Sequence, residues 1–290
     1  MEILKTYKGF DKDLKCRDKQ YEIGKEYEEK DIKICKRGFH ACESPLEVWV
    51  HYDMLNSRFC EVEQSGEIQR EENTTKICSS KIKIKAELKL ADIIKLGVDW
   101  LIEKTSNKKE NTRDYAQIGS SGYSAKIGSS GYSAQIGSSG DSAKIGSSGD
   151  YAQIGSSGYS AKIGSSGDYA KIGSSGYSAQ IGSSGYYAQI GSSGDYAKIG
   201  SSGDYAQIGS SGDYAQIGST GQDSVICCAG NNSAAKAKRG SWITLSEWMW
   251  SEEKEKYIPK CVKTEYVDGE RIKEDTWYKL IDGEFKEVEL

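Results

Sequence analysis

From Ala116 onward the apolar positions recur with a strict period of nine, placing isoleucine at 118, 127, 136, 145, 154, 163, 172, 181, 190, 199, 208 and 217. The unit reads Ala-(Gln/Lys)-Ile-Gly-Ser-(Ser/Thr)-Gly-(Tyr/Asp)-(Ser/Tyr), and it is repeated twelve times. Ala-x-Ile alternates small apolar, polar and large apolar, the period-two pattern of a strand with one buried face, so Ala and Ile should point inward and Gln or Lys outward. Gly-Ser-Ser-Gly supplies a corner, because glycine accepts positive φ and serine hydroxyls satisfy turn backbone. One such unit cannot bury its own apolar face; the units must coil and stack as a parallel β-solenoid.

Which side chains stack depends on the number of repeats per turn. Tyr151, Tyr169, Tyr187 and Tyr205 fall on alternate repeats, with Ser124, Ser142, Ser160 and Ser178 on those between. Gln117, Gln135, Gln153, Gln189 and Gln207 share one parity, and Lys126, Lys144, Lys162 and Lys198 the other, while Lys171 and Gln180 break the rule. Two repeats per turn is the preferred reading and three the alternative. Two would give six turns spaced by about 4.8 Å, a rod roughly 29 Å long. One face would then carry a tyrosine and glutamine ladder (Tyr151, Tyr169, Tyr187, Tyr205, Gln153, Gln189, Gln207), a candidate binding surface, and the other lysine and serine. Packing alone also explains such ladders, since identical stacked side chains help hold register.

The flanks follow other patterns. Residues 1–111 are expected to form an α+β domain, 112–240 the solenoid and 241–290 a small antiparallel β cap, making the whole chain mainly β. Ser44-Pro45-Leu46-Glu47 has the form of a capping box with proline at the first helical position, which predicts a helix from Pro45 burying Leu46, Trp49, Val50 and Met54. Lys81 to Ala86 alternates as a strand, and Leu90 to Glu103 reads as a second helix before a linker over 106–111. After Gly221 the repeat decays through Val225-Ile226-Cys227-Cys228, as terminal coils do. Ser241 to Leu245 reads as a strand, and Asp268-Gly269 and Asp282-Gly283 as turns between further strands. Trp242, Trp248, Trp250 and Trp277 are expected to cover the open end of the coil.

The chain holds 33 glycines and 19 tyrosines beside 4 phenylalanines and 2 prolines, a skew produced by the repeat. Its net charge of -4 disfavours nucleic acid as partner, because phosphate affinity comes from clustered Lys and Arg. Without a secretory leader at Met1 to Lys8 or a run of about 20 apolar residues, the reading is a cytoplasmic protein with no membrane partner. The eight scattered cysteines are then expected as free thiols. Cys35, His40 and Cys42 are the candidate metal ligands, since His40 and Cys42 would share one side of a strand, but their spacing fits no zinc pattern and buried structural thiols explain them as well. No catalytic constellation and no cofactor are implied.

The nonapeptide resembles the calcium-binding RTX repeat, yet Asp150, Asp168, Asp195, Asp204 and Asp213 stand one place too early in the unit and alternate with tyrosine, which argues against calcium. It departs from ice-binding solenoids in lacking Thr-x-Thr rows, and from adhesin heads in lacking an export signal. Tyr7-Lys8-Gly9-Phe10 through Cys16, with Gly38-Phe39-His40-Ala41-Cys42-Glu43-Ser44-Pro45-Leu46, resembles the N-terminal domain of an uncharacterised bacterial and phage family. Members of that family also carry short Gly/Ser/Thr/Ala repeats and an ending like Lys236 to Trp248. The resemblance implies this three-part architecture and, through phage members, a host-interaction role, but no catalytic residues. Tyr7-Lys8-Gly9, Gly38 to Cys42 and the paired Glu61 and Glu63 also loosely resemble ADP-ribosyltransferase strands, with Lys8 in place of the usual arginine and Ala-Cys-Glu in place of Ser-Thr-Ser.

The leading functional expectation is therefore a non-catalytic scaffold or binding protein with an unknown protein or small-molecule partner. A ligand-sequestering inhibitor of host defence, a self-assembling homo-oligomer and an ADP-ribosyltransferase-like activity in the N-terminal domain are the alternatives.

Overall fold

The computed structural model describes residues 2–72, 74–105 and 113–290; the linker expected over 106–111 lies outside the described residues. The chain divides into two compact units, Met1–Trp100 and Leu101–Leu290.

The first unit is an antiparallel sheet built from β1 (Leu4–Phe10), β4 (Glu26–Glu28), β5 (Phe39–Cys42), β6 (Arg58–Arg70) and β7 (Lys76–Leu88), with a two-residue pair, β2 (Lys15–Cys16) and β3 (Lys19–Gln20), beside it. The strand order is β4-β7-β5-β1-β6, and β6 pairs in turn with β7, so four strands close into a ring. Bulges at Glu61/Val62 and Ser65/Ile68 let the two 13-residue strands bend enough to close it. Phe10, Tyr21, Phe39, Val62, Ile82 and Ile84 fill the interior. Helix α1 (Leu90–Thr105) follows, burying Ile93, Ile94 and Val98.

The segment at Pro45 is a single 3-10 stretch, Pro45–Val50, that the Ser44 hydroxyl does not cap. Glu47 turns its carboxylate to the Thr75 hydroxyl and N–H instead of back to the first turn. A buried carboxylate needs donors, and Thr75 supplies two, so the tertiary partner wins over the local cap. Leu46, Trp49 and Met54 are buried as expected, whereas Val50 is exposed.

The second unit is the β-solenoid, of about seven turns. Twelve four-residue strands run from β8 (Gln117–Ser120) to β19 (Gln216–Ser219), and each pairs in parallel with the strand eighteen residues away. Ile136 lies between Ile118 and Ile154, and Ile145 between Ile127 and Ile163. Two repeats therefore make one turn, which removes the three-repeat alternative. Alanine and isoleucine from both faces form one continuous core. The strand itself comprises Gln/Lys-Ile-Gly-Ser rather than Ala-x-Ile. Its serine points inward, where a small side chain fits the narrow interior; its glycine is exposed on one face, as at Gly155, and buried on the other, as at Gly146, and the corner begins only at the second serine.

Corners come in two forms that differ at the ninth residue of the repeat, and the left-handed form is not confined to tyrosine, since Ser133 (φ 53°) adopts it and donates forward to Asp150. Where it is tyrosine it adopts left-handed backbone, as at Tyr151 (φ 57°), and its N–H donates forward to the eighth-position carbonyl of the next coil, Tyr151 to Asp168 at 2.8 Å. Where Ser142, Ser160 or Ser178 stands there, the N–H donates backward, Ser160 to Asp141 at 2.7 Å. The corner leading into the lysine-rich strands changes form once, between Ser178 and Tyr196. The corner glycine is obligatory in both forms: a Cβ on Gly158 would lie 2.7 Å from the carbonyl carbon of Gly140.

Stacking continues past the regular repeat. β20 (Val225–Cys228) and β21 (Ala234–Lys236) add one rung to each face, with Cys228 inward and Cys227 exposed. The cap is two hairpins, one per face. β22 (Trp242–Ser251) pairs in parallel with β20 and antiparallel with β23 (Lys256–Tyr266), while β24 (Tyr278–Ile281) and β25 (Glu284–Glu287) close the other sheet. Pro259 and its lysines make β23 a poor template for further pairing. Of the four tryptophans expected to seal the coil only Trp277 is buried; Trp242 and Trp250 are exposed, and Val267, Ile272, Tyr278 and Leu280 seal the core. Asp282-Gly283 forms the β24–β25 turn with both φ values positive, but Asp268-Gly269 opens a loop in which the Asp268 carboxylate accepts three backbone N–H groups.

Candidate functional site

The expected tyrosine ladder exists. Tyr151, Tyr169, Tyr187 and Tyr205 stack with ring centroids 4.9–5.0 Å apart and interplanar angles of 4–11°. Tyr132 extends the column downward, and each of the four ladder residues keeps 43–45% of its surface exposed. Two residues after each tyrosine the outward strand position continues the row: Gln153, Lys171, Gln189 and Gln207 stand in register, so Lys171 interrupts the glutamines. Beside that row the outward glycines Gly155, Gly173 and Gly191 leave open space, and together they form a shallow trough of about 1130 Å³ along this face.

A second ladder runs along the opposite corner and escaped the sequence reading. Tyr159 stacks on Tyr177 (5.1 Å, 16°), Tyr177 tilts onto Tyr196 (5.1 Å, 41°), and Tyr196 stacks on Tyr214 (4.9 Å, 3°). Tyr159 and Tyr177 occupy the eighth position of the repeat and Tyr196 and Tyr214 the ninth, so a search confined to one position misses the column. The tilt falls where the corner changes form.

The repeat aspartates have a structural task. Asp150 accepts the N–H of Asp168 at 2.9 Å, Asp168 that of Tyr186, Asp195 that of Asp213, Asp204 that of Gln222 and Asp213 that of Asn231. Each carboxylate ties its own coil to the next.

In the first unit the metal candidates diverge. Cys35 has left-handed backbone (φ 63°), and its N–H donates to His40 Nε2 at 2.9 Å, which occupies the lone pair a metal would use. Cys35 Sγ lies between Lys76 Nζ (3.0 Å) and Glu71 (3.3 Å), and Cys42 is buried in β5. Among the described residues no three His, Cys, Asp or Glu side chains cluster as metal ligands. Burial, with Lys8, Lys76 and Arg17 nearby, pushes His40 down to about 4, so the ring is neutral. Glu61 and Glu63 pair with Lys5 (2.7 Å) and Lys85 (2.8 Å).

Cys35, His40, Cys42 and Lys76 border a pocket of about 890 Å³. Lys8, 3% exposed, lines it with its ammonium 3.4 Å from Cys16 Sγ, 3.0 Å from the His40 carbonyl and 3.2 Å from the Tyr52 hydroxyl; Cys16 and Tyr52 are 3.1 Å apart. Tyr52 reaches this position by lying against Gly9, where any Cβ would overlap the ring.

A solenoid joined to a small antiparallel-sheet domain is thus the class of protein defined. Residues 4–96 match the model of a domain of unknown function, DUF7666. No curated protein and no solved structure matches the chain. Among the described residues no helix is long and apolar enough to cross a membrane.

Proposed function

We propose that the chain is a non-catalytic binding protein in which the solenoid presents tyrosine edges to a protein partner. The observation that carries this reading is where the tyrosines stand. Left-handed backbone costs an L-residue about 1–2 kcal/mol, and Asn is among the non-glycine residues that bear it best. Ser133 takes that position in one early coil and Asp223 and Asn232 at the end, but Tyr151, Tyr169, Tyr187, Tyr196, Tyr205 and Tyr214 take it along the rest of the rod. Ring stacking, at about 0.5–1.5 kcal/mol per pair, offsets the strain without using the exposed part of each ring. Tyrosine is the side chain that binding surfaces favour, combining large contact area with little rotamer entropy.

The test replaces Tyr151, Tyr169, Tyr187 and Tyr205 by Asn, which keeps the corner geometry, and places a photo-crosslinking residue at Tyr169 in the otherwise intact chain. The expected result is an unchanged circular dichroism spectrum for the Asn variant together with loss of the partner that the Tyr169 probe captures in producing cells. Retention of that partner by the Asn variant refutes the reading. A cross-link only between copies of this chain, with dimers in sedimentation velocity, replaces it by self-assembly.

A further inference from the structure

Lys8 is the most unusual group outside the ladders. Its ammonium sits in the wall of β1, buried, and among the described residues no carboxylate lies within ion-pair distance of it; its three acceptors are a sulfur, a carbonyl oxygen and a hydroxyl. A buried cation without a counter-ion is costly, and lysine relieves the cost by giving up its proton. Burial is the leading cause that lowers the Lys8 pKa from its ordinary value. The pocket in front of it is cationic although the chain is acidic: Lys15, Arg17, Lys19, Lys36, Arg37 and Lys76 line it with Lys8, against Asp11, Asp18, Glu29 and Asp53. Charges of both signs are partly engaged. Glu29 pairs with Lys19 at 3.1 Å, Lys76 with Glu71 at 3.4 Å and Arg37 with Asp31 at 3.6 Å, Asp11 and Asp53 accept backbone N–H groups of their own loops, and the basic residues still outnumber the acidic ones.

An amine of this kind, beside a phenol and facing a cationic cavity, suits one class of ligand. We propose that the pocket takes a small anionic carbonyl compound, such as a 2-oxo acid or an aldehyde acid, and that Lys8 Nζ captures it as an imine. The free amine adds to the carbonyl carbon, giving a carbinolamine. Tyr52, 3.2 Å from Nζ, gives its proton to the departing hydroxyl, which leaves as water as the C=N bond forms, and recovers a proton released from the nitrogen. Amine plus carbonyl becomes imine plus water, with no oxidant or reductant consumed. The basic rim holds the ligand's carboxylate. This site is independent of the tyrosine ladders, and either can fail without the other.

The experiment incubates the full chain with glyoxylate and cyanoborohydride at neutral pH, which turns any imine into a stable secondary amine, and maps the labelled lysines by peptide mass spectrometry. Lys8 is expected to label several-fold ahead of exposed Lys12 and Lys33, because only its amine lines the cationic pocket that would gather the ligand. Excess oxalate, an anion without a reactive carbonyl, is expected to slow labelling at Lys8 and not at Lys12. Tyr52→Phe, which keeps the ring against Gly9, is expected to slow it as well. Labelling of Lys12 and Lys33 with Lys8 untouched overturns the proposal and leaves Lys8 a structural ammonium. Labelling of Lys8 that oxalate does not slow overturns the anionic pocket. Both decisive readouts use the unsubstituted protein, so a folding defect in a variant does not blur them.

Discussion

Two glycines three residues apart in one repeat should respond to alanine in opposite directions. Gly155 points outward from the strand with no positive φ and with nothing within 4 Å of the place a Cβ would occupy, so Gly155→Ala adds only a methyl in open space. Its main effect is to reduce the freedom of the unfolded chain, a gain of about 0.4–1 kcal/mol. At Gly158 the same methyl meets the Gly140 backbone of the coil below, which cannot swing away as a flexible side chain would. Forcing the coils apart costs about 1–3 kcal/mol in backbone shifts. It also strains the corner bonds from Ser160 to Asp141 and from Ala161 to Gly158, at about 0.5–1.5 kcal/mol each. A net loss of about 3 kcal/mol is expected for Gly158→Ala. Urea unfolding followed by far-ultraviolet circular dichroism would compare the midpoints, and hydrogen exchange would place any local opening near residue 158. If Gly158→Ala unfolds at the wild-type midpoint, or Gly155→Ala is the weaker of the two, the corner contact does not govern coil spacing and the reasoning fails.

Three further outcomes are expected. Asp168→Ala removes the acceptor for the Tyr186 N–H and should cost about 1 kcal/mol, whereas Asp168→Asn keeps an acceptor oxygen and should recover most of it; equal losses in thermal melting would remove the carboxylate ties from the account of coil stacking. His40 binds its proton more weakly folded (about 4) than unfolded (6.5), so the stability it confers is complete above pH 6.5 and drains as pH falls through 4; His40→Gln should flatten that part of a melting-temperature profile, and an unchanged profile would rule the histidine out. Adjacent Cys227 and Cys228 should differ in alkylation, because Cys227 is exposed while burial raises the thiol pKa of Cys228, so mass spectrometry that finds both labelled at one rate would contradict the inward orientation of Cys228.

The solenoid was legible because its information is local and periodic: Ala-x-Ile states which side faces in, and the eighteen-residue spacing of Tyr151, Tyr169, Tyr187 and Tyr205 favoured two repeats per turn over three, which the strand pairing then decided. The second tyrosine column was not, since Tyr177 and Tyr196 hold different positions in the repeat and meet only through a change of corner form that no single unit encodes. In the N-terminal unit the strand around Ile82 and Ile84 and the helix from Leu90 were readable from alternation and periodicity. The fate of the Ser44-Pro45 signal depended on Thr75, about thirty residues away, which no local rule sees. The Lys8 site was hidden for the same reason. Lys8 looks like any strand lysine until β2 and the segment carrying Tyr52 bring Cys16 and a phenol to its ammonium, while the more conspicuous His40 turns its nitrogen to a backbone N–H.

Each coil offers its successor nearly the same surface that it receives from its predecessor. Removing eighteen consecutive residues from the regular tract would leave two matching surfaces able to rejoin, shortening the rod by about 4.8 Å while both hairpins of the cap still close it. Length is therefore digital in this protein: it can change by whole rungs without any core being redesigned, and the distance it spans is written as a count of copies. The exceptions, Lys171 among the glutamines, Gln180 among the lysines and the change of corner between Ser178 and Tyr196, distinguish particular rungs in an otherwise uniform stack.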